Sequence, residues 1–251
     1  MKYVVKINPE YEHLRGFIEG LPTATDAELG RLVYSTRNKV YSTQVGDITL
    51  SVKSFGVPRF LGKFTLGDLK VSKARSSYEN ALKLINLGIG TPEPVAYVEE
   101  YRMGCIHRSF YVCRFLDGYR DVSGWEKRDD AAALLDRFGQ FIALLHSKGV
   151  CHNDFTPGNI LFNDSYDFRM VDLNNVSFDR KNPEDLLANF KSVHPREDQT
   201  LRLAHCYAKY SPFKQVSDIE LVEIVLDKRR VYLRYRTVID WIDRMLKKFE
   251  W

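Results

Sequence analysis

HNDFTPGN, residues His152 to Asn159, decides the reading of this 251-residue chain. Three apolar residues, ILF, follow it, and then a strand-like run, FRMVDL, that carries Asp172. The pattern is an aspartate at 154, an asparagine five residues on, and a second aspartate beyond a short apolar stretch. Alone, it describes a polar turn ahead of a hairpin. A reading in which these residues carry chemistry needs a context that makes the same point.

Just upstream, Arg128 to Ser147 has helical periodicity, with Leu134, Leu135, Phe138, Phe141, Ile142 and Leu145 on one stripe. Leu116-Asp117-Gly118 separates that helix from two strand-like runs, PVAYVEEY and HRSFYVCRFL. Before them, Val71 to Leu87 reads as a helix with Ser72 as N-cap and Gly88 as its stop. RLVYS, KVYSTQ and DITLSVKSF read as three strands between Arg31 and Phe55, with a tight turn at Val45-Gly46-Asp47. The segment before Arg31 has no assigned role. From Pro183 onward the chain reads as three or more helices, ending in the amphipathic TVIDWIDRMLKKFEW. Strands first and helices afterwards predict an α+β fold, with a small antiparallel sheet lobe over residues 1–117 and a helical lobe over 118–251.

Hydrophobic residues make up 44% of the chain and charged residues 28%, an ordinary globular balance with no apolar run long enough to cross a bilayer. The opening MKYVVKINPEYEHLRGF interleaves charges with apolar residues, so no signal-peptide core is read there and a cytoplasmic protein is expected. Cys105, Cys113, Cys151 and Cys206 show neither CxxC nor zinc-site spacing and read as reduced thiols, Cys151 as a packing residue. A net charge of +4 fits an anionic partner without naming it, and no nucleic acid is expected.

Taken together, Lys53 in LSVKSF, Glu79 in SSYENALKL, and HNDFTPGN with Asp172 resemble the protein-kinase-like superfamily from about Arg31 to Asp172. RNKVY at Arg37 to Tyr41 and VKSF at Val52 to Phe55 resemble, more closely, the lipopolysaccharide inner-core kinases, whose members phosphorylate Kdo or heptose. The resemblance implies ATP, Mg²⁺ and a sugar hydroxyl on a lipid-anchored anionic saccharide, with peripheral contact at the cytoplasmic face of the inner membrane. It implies that Lys53, tied to Glu79, holds the α and β phosphates and that Asp154 orients the acceptor hydroxyl. Asn159 and Asp172 are the implied metal ligands. His152 is read as structural, bonding the loop backbone from a buried position.

Departures from the kinase pattern narrow the acceptor. Ser35 to Lys39 stands where a glycine-rich loop cradles the triphosphate and contains no glycine, so Arg37 and Lys39 are read as supplying charge there, or as solvated turn cations. Leu173 and Asn174 follow Asp172 in place of Phe and Gly, Thr156 replaces a lysine, and no APE motif follows. These features favour a glycan acceptor over a protein. A basic run, Lys53, Arg59, Lys63, Lys70, Lys73 and Arg75 with the single acid Asp68, reads either as a solvated surface or as an acceptor surface. Trp241, Arg244, Met245, Lys247, Lys248 and Phe249 are read as packing on the helical lobe, with membrane contact as the other use. Kdo of a Kdo–lipid A precursor is the expected acceptor, heptose the next. An atypical protein kinase resembling the RIO group and a nucleotide-binding pseudokinase scaffold remain the alternatives.

Overall fold

A computed structural model describes residues 2–35, 38–56 and 71–247, with side chains through residue 239. The chain divides into two compact units, one of residues 1–118 with 169–175, the other of 119–168 with 176–251.

The first unit is built on a six-stranded sheet. Its strands are β1 (Lys2–Ile7), β2 (Arg31–Ser35), β3 (Asn38–Val45), β4 (Ile48–Phe55), β5 (Pro94–Arg102) and β6 (Cys105–Arg114), in the order β1-β5-β6-β4-β3-β2 with antiparallel neighbours. The expected turn between β3 and β4 forms with Val45 opposite Ile48, and Gly46 takes φ 58°, a left-handed value that glycine adopts without strain.

One face of this sheet places Tyr41, Leu50, Val52, Ala96, Val98, Phe110 and Val112 in a core cluster. The segment without an assigned role covers that face: Tyr11 and Leu14 from a 3₁₀ turn, Ile18 from helix α1 (Arg15–Gly20), and Leu21 and Leu29 beyond it are all buried there. A fully buried side chain of this kind contributes about 2 kcal/mol over exposure, so the segment is part of the fold. The other face packs on helix α2 (Lys73–Asn86), through an edge-on contact of Tyr78 with Tyr97 at 5.5 Å. Ser72 caps α2 as expected, its Oγ accepting from the Arg75 amide at 2.9 Å.

The second unit contains helices α3 (Ala131–Ser147), α4 (Pro183–Leu187), α5 (Glu197–Ala208) and α6 (Asp218–Lys247). Short strands complete the chain: β7 (Arg120–Asp121), β8 (Cys151–His152), β9 (Ile160–Phe162), β10 (Phe168–Met170) and β11 (Val176–Ser177). Helices α3 and α5 approach closely at Gly139, where a Cβ would stand 2.8 Å from the Tyr207 amide nitrogen. The apolar stripe of α3 is buried as its periodicity predicts, and Phe138 stacks on Phe155 and Phe168 at 6.1 and 5.5 Å. The C-terminal amphipathic segment is part of α6 as far as Lys247; the side chains of Trp241, Arg244, Met245 and Lys247, and the whole of Lys248 and Phe249, lie outside the described residues. Among the described residues, no helix is long and apolar enough to cross a membrane.

A buried polar chain ties α3 to the following loop. His146 Nδ1 meets the Tyr207 hydroxyl at 2.8 Å, its Nε2 meets the Asn189 amide nitrogen at 3.2 Å, and Asn189 Oδ1 accepts from the Cys151 thiol at 3.1 Å. The amide donates to Nε2, so the imidazole is neutral with its proton on Nδ1, and burial pushes its pKa from 6.5 down to about 3. The unfolded chain takes up this proton near pH 6.5 and the folded protein only near 3, so the contribution is complete above 6.5 and is lost as pH falls toward 3. Urea unfolding at about pH 7 and about pH 5 checks this: wild type should lose stability between the two, and His146→Gln should lose less.

Candidate functional site

In the first unit, the central position of β4 directs Lys53. Residues opposite one another on neighbouring strands share a face. Lys53 stands opposite Val40 and Tyr111, and Tyr111 opposite Tyr97, so Lys53 lies on the face that packs against α2. Its ammonium is mostly buried and pairs with the carboxylate of Asp172, which is about one-third exposed.

Asp172 is held from both sides. Before it, the Met170 amide donates to the Gly90 carbonyl at 2.9 Å, and the buried Thr91 hydroxyl donates to the Met170 carbonyl at 2.8 Å. After it, the Asn80 side chain on α2 donates to the Leu173 carbonyl at 2.8 Å. Asp172 itself has φ 57°, a left-handed conformation that L-residues other than glycine, asparagine and aspartate seldom adopt. Thr91 and Asn80 are positioning residues that the sequence reading did not select. A threonine after Gly88 and an asparagine amid a helical stripe carry no spacing signal that ties them to a residue about eighty or ninety positions on.

Two residues pair elsewhere than with the phosphate lysine. The Lys53–Glu79 ion pair, expected either formed or held apart by a displacement of the helix, is not formed here. Glu79 lies four residues after Arg75 on the same flank of α2 and accepts from its guanidinium at 2.8 Å, while α2 turns the neighbouring Asn80 toward the Asp172 segment. Lys39 is opposite Ser54, one register position from Lys53, which places it on the other face of the sheet. There its ammonium pairs with Asp26, which also accepts from the Tyr41 hydroxyl at 2.8 Å. Those bonds, first that of Lys39, hold the Asp26 carboxyl below its usual range. Arg37 lies outside the described residues, as do Arg59, Lys63, Asp68 and Lys70 of the basic run. Of the described members, Lys53 and Arg75 are each engaged by a carboxylate.

In the second unit, HNDFTPGN is fixed by bonds that leave one carboxylate open. His152 is 1% exposed, on β8, and its Nδ1 accepts from the Asp154 amide at 3.2 Å, so it is structural. Phe155 is buried against Phe138, and its carbonyl accepts from Ser192 Oγ at 3.2 Å. The Thr156 and Asn159 amides close successive turns on the Asp154 and Thr156 carbonyls at 2.9 and 3.0 Å. Asn159 Nδ2 donates to the Asp154 carbonyl at 2.8 Å, which leaves Oδ1 as the atom the side chain offers. The exposed Asp154 carboxylate has no hydrogen-bond partner among the described residues. Burial raises the Cys151 thiol above its ordinary pKa, against the charges of Lys191 and Arg180, which suits packing rather than a nucleophile.

Among the described residues, no group of three or more His, Cys, Asp or Glu is arranged to hold a metal. A small divalent cation bound with a triphosphate does not need one, because it takes one or two protein oxygens and fills its remaining positions with phosphate and water. The Asp172 carboxylate in the first unit and the free amide oxygen of Asn159 in the second are each an oxygen of the kind such a cation takes.

Known proteins resemble this chain in sequence and in fold. The lipopolysaccharide kinase (Kdo/WaaP) family matches residues 30–195, more than half of the chain. A 3-deoxy-D-manno-octulosonic acid kinase of Vibrio parahaemolyticus serotype O3:K6 (strain RIMD 2210633) is 26% identical over 127 residues, 48% of this chain and 53% of that protein. The chain therefore matches about half the length of that curated relative. Among solved structures, that of WaaP in complex with acyl carrier protein is similar over 100% of both chains, with a TM-score of 0.56 and 19% identity. That likeness shows the fold, α+β as the strand and helix order predicts and protein-kinase-like as the resemblance implies.

The left-handed backbone at Asp172 separates two substitutions that both remove the ion pair. Asn tolerates this conformation and Ala does not, so Asp172→Ala should be less stable than Asp172→Asn by about 1 kcal/mol in urea unfolding. Equal stability would show that the backbone relaxes at this position.

Proposed function

We infer the reaction from what this chain is: it belongs to the lipopolysaccharide kinase (Kdo/WaaP) family. We propose that it transfers the γ-phosphoryl group of ATP to a sugar hydroxyl of the lipopolysaccharide inner core, with Kdo of a Kdo–lipid A precursor as acceptor. The observation that carries this reading is the pairing of the mostly buried Lys53 with Asp172, whose flanking carbonyls are held by Thr91 and Asn80. The named activity of the Vibrio relative supports Kdo as the sugar.

Each side chain has a distinct task in this proposal. Lys53 sets a fixed positive charge against the phosphates, and its low exposure keeps that charge from being fully screened by water. Asp172, by its carboxylate, and Asn159, by its amide oxygen, would be the residues to hold Mg²⁺. Bound Mg²⁺ supplies charge neutralisation on the phosphate oxygens. Asp154 accepts a hydrogen bond from the sugar hydroxyl, aligns its oxygen and takes its proton as the phosphoryl group transfers. His152 and Phe155 act on Asp154 only by fixing the loop that carries it.

The membrane-surface partner is assigned to α6. From Arg230 to Val238 nearly every residue is exposed, and Arg230, Arg234 and Arg236 alternate there with the exposed Leu233 and Val238. A basic helix surface with apolar residues suits the headgroup region of an anionic bilayer, where each cation contributes about 1 kcal/mol. No acidic residue occurs between Asp227 and Asp240.

Two experiments test this function. Purified protein with ATP and Mg²⁺ should phosphorylate Kdo–lipid A precursor, with the added phosphate located on Kdo by mass spectrometry, and should leave generic protein substrates unmodified. Asp154→Asn should lower kcat by about a hundredfold or more with little change in nucleotide affinity, whereas Asp172→Ala should lose both. Equal loss of nucleotide affinity in the two variants would overturn the division of roles. For the membrane partner, the protein should sediment with vesicles containing phosphatidylglycerol. Added salt, or joint replacement of Arg230, Arg234 and Arg236 by Glu, should release it.

A further inference from the structure

Next to the HNDFTPGN loop, within the second unit, lies a small cleft of about 190 Å³. Asn153, the residue before Asp154, forms part of its wall together with Arg180, Glu184, Asp185, Lys191 and Lys228. Three of these side chains are cationic and two are anionic. Both anions are taken: Arg180 Nη1 lies 3.7 Å from Asp185, and Lys228 Nζ lies 3.0 Å from Glu184. Lys191 is half-buried and has no carboxylate partner among the described residues. An ammonium drawn partly out of water without a counter-charge is costly, and a concave surface focuses its field, so the cleft favours an anion.

The cleft is coupled to the loop. Asn153 Nδ2 donates to Ser177 Oγ at 2.8 Å, and Arg180 Nη2 donates to the same hydroxyl at 3.4 Å. One bridging side chain therefore joins the residue preceding Asp154 to a cation of the cleft. At about 190 Å³ the space is below the several hundred Å³ of a drug-sized site, so it takes a single acidic sugar head or a phosphate.

A second, larger cavity of about 520 Å³ adjoins it and shares Glu184, Ala188, Lys191 and Lys228 as walls. Its remaining lining includes Ile224, Val231, Tyr232 and Tyr235 from α6, with Val231 and Tyr235 65% and 62% exposed. Lys191 thus stands where a polar, positively charged cleft opens onto an apolar and aromatic groove. The tyrosine rings offer faces for sugar rings or acyl chains.

Building on the kinase reading above, we propose that this pair of cavities is the acceptor site. Lys191, with Arg180, binds the carboxylate or phosphate of the acidic sugar, and the groove along α6 receives the apolar remainder of the glycolipid. The occupant is one amphiphilic molecule, anionic at one end and apolar at the other. A purely polar anion uses the cleft alone.

Steady-state kinetics with two acceptors and calorimetry with small probes test this on the full chain. Lys191→Gln should raise the KM for both free Kdo and Kdo–lipid A precursor by about tenfold or more. The KM for ATP should stay within about twofold of wild type, and Lys191→Arg should restore most of the loss. Tyr235→Ala should raise the KM for the lipid-linked acceptor and leave that for free Kdo unchanged. By calorimetry, Kdo should bind wild type more tightly than its carboxyl-reduced alcohol if the anion is the sugar carboxylate, and inorganic phosphate should compete if it is a phosphate. Either binding should be lost in Lys191→Gln.

An unchanged acceptor KM and unchanged probe affinity in Lys191→Gln would overturn the proposal. So would an equal rise in the KM for ATP, which would mark a structural disturbance. If wild type phosphorylates neither acceptor, the assigned reaction fails, and calorimetry still decides the cleft: Lys191-dependent binding of Kdo or phosphate supports it, and no binding to wild type overturns it.

Discussion

Lys53 and Asp172 are 119 residues apart in the chain, and the pairing of their charges is the constraint around which the first unit is arranged. It requires β4 to lie between β3 and β6 with Lys53 on the α2 face, and it requires a short later segment to return to the same face. Neither charge is fully solvated, so separating them would leave a partly buried ammonium or carboxylate without a partner. Hydrogen bonds to backbone carbonyls on both sides of Asp172 stabilise the return, and the aspartate takes a left-handed conformation within it. A backbone conformation of this kind persists only where its neighbours over-determine it, as the bonds from Thr91, Asn80 and Gly90 do here.

The second unit presents a carboxylate, that of Asp154, that has no hydrogen-bond partner among the described residues. Its loop spends the His152 ring, the Asn159 amide nitrogen, the Phe155 carbonyl and successive main-chain amides on internal bonds. Phe155 is anchored in an aromatic cluster with Phe138, and the buried chain from Tyr207 through His146 and Asn189 reaches Cys151 at the start of the loop. A loop held so fully loses little further entropy on binding, which suits the hydroxyl-orienting role proposed for Asp154. The cationic cleft beside it continues the same economy, because its carboxylates are matched to two of its cations and Lys191 is left over.

Much of this was legible in the chain. Strand-like runs marked β2 to β6, Ser72 and Gly88 marked the ends of α2, and the stripe from Leu134 to Leu145 marked α3, because each of these signals is local. The segment before Arg31 was not legible, since its apolar residues lack a clear period and acquire meaning only against a sheet face built from residues up to about a hundred positions later. The partners of Glu79 and Lys39 were not legible for a related reason. Sequence distance put each near the right element, but a helix turns about 100° per residue and a strand 180°, so the next residue along faces elsewhere.

Local chemistry in the sequence determined which residue types were available: a lysine on a strand, an aspartate and an asparagine in one loop, an aspartate after a short strand, and a strand-then-helix order that specifies an α+β fold. Only the tertiary structure decided partners and faces. It set Asp172 rather than Glu79 against Lys53, turned Lys39 to the far side of the sheet, recruited Thr91 and Asn80, and left Lys191 without a carboxylate among the described residues. The physical reason is that hydrogen bonds and ion pairs act over a few ångströms in space, and the register and packing that bring distant residues within that range are properties of the whole fold.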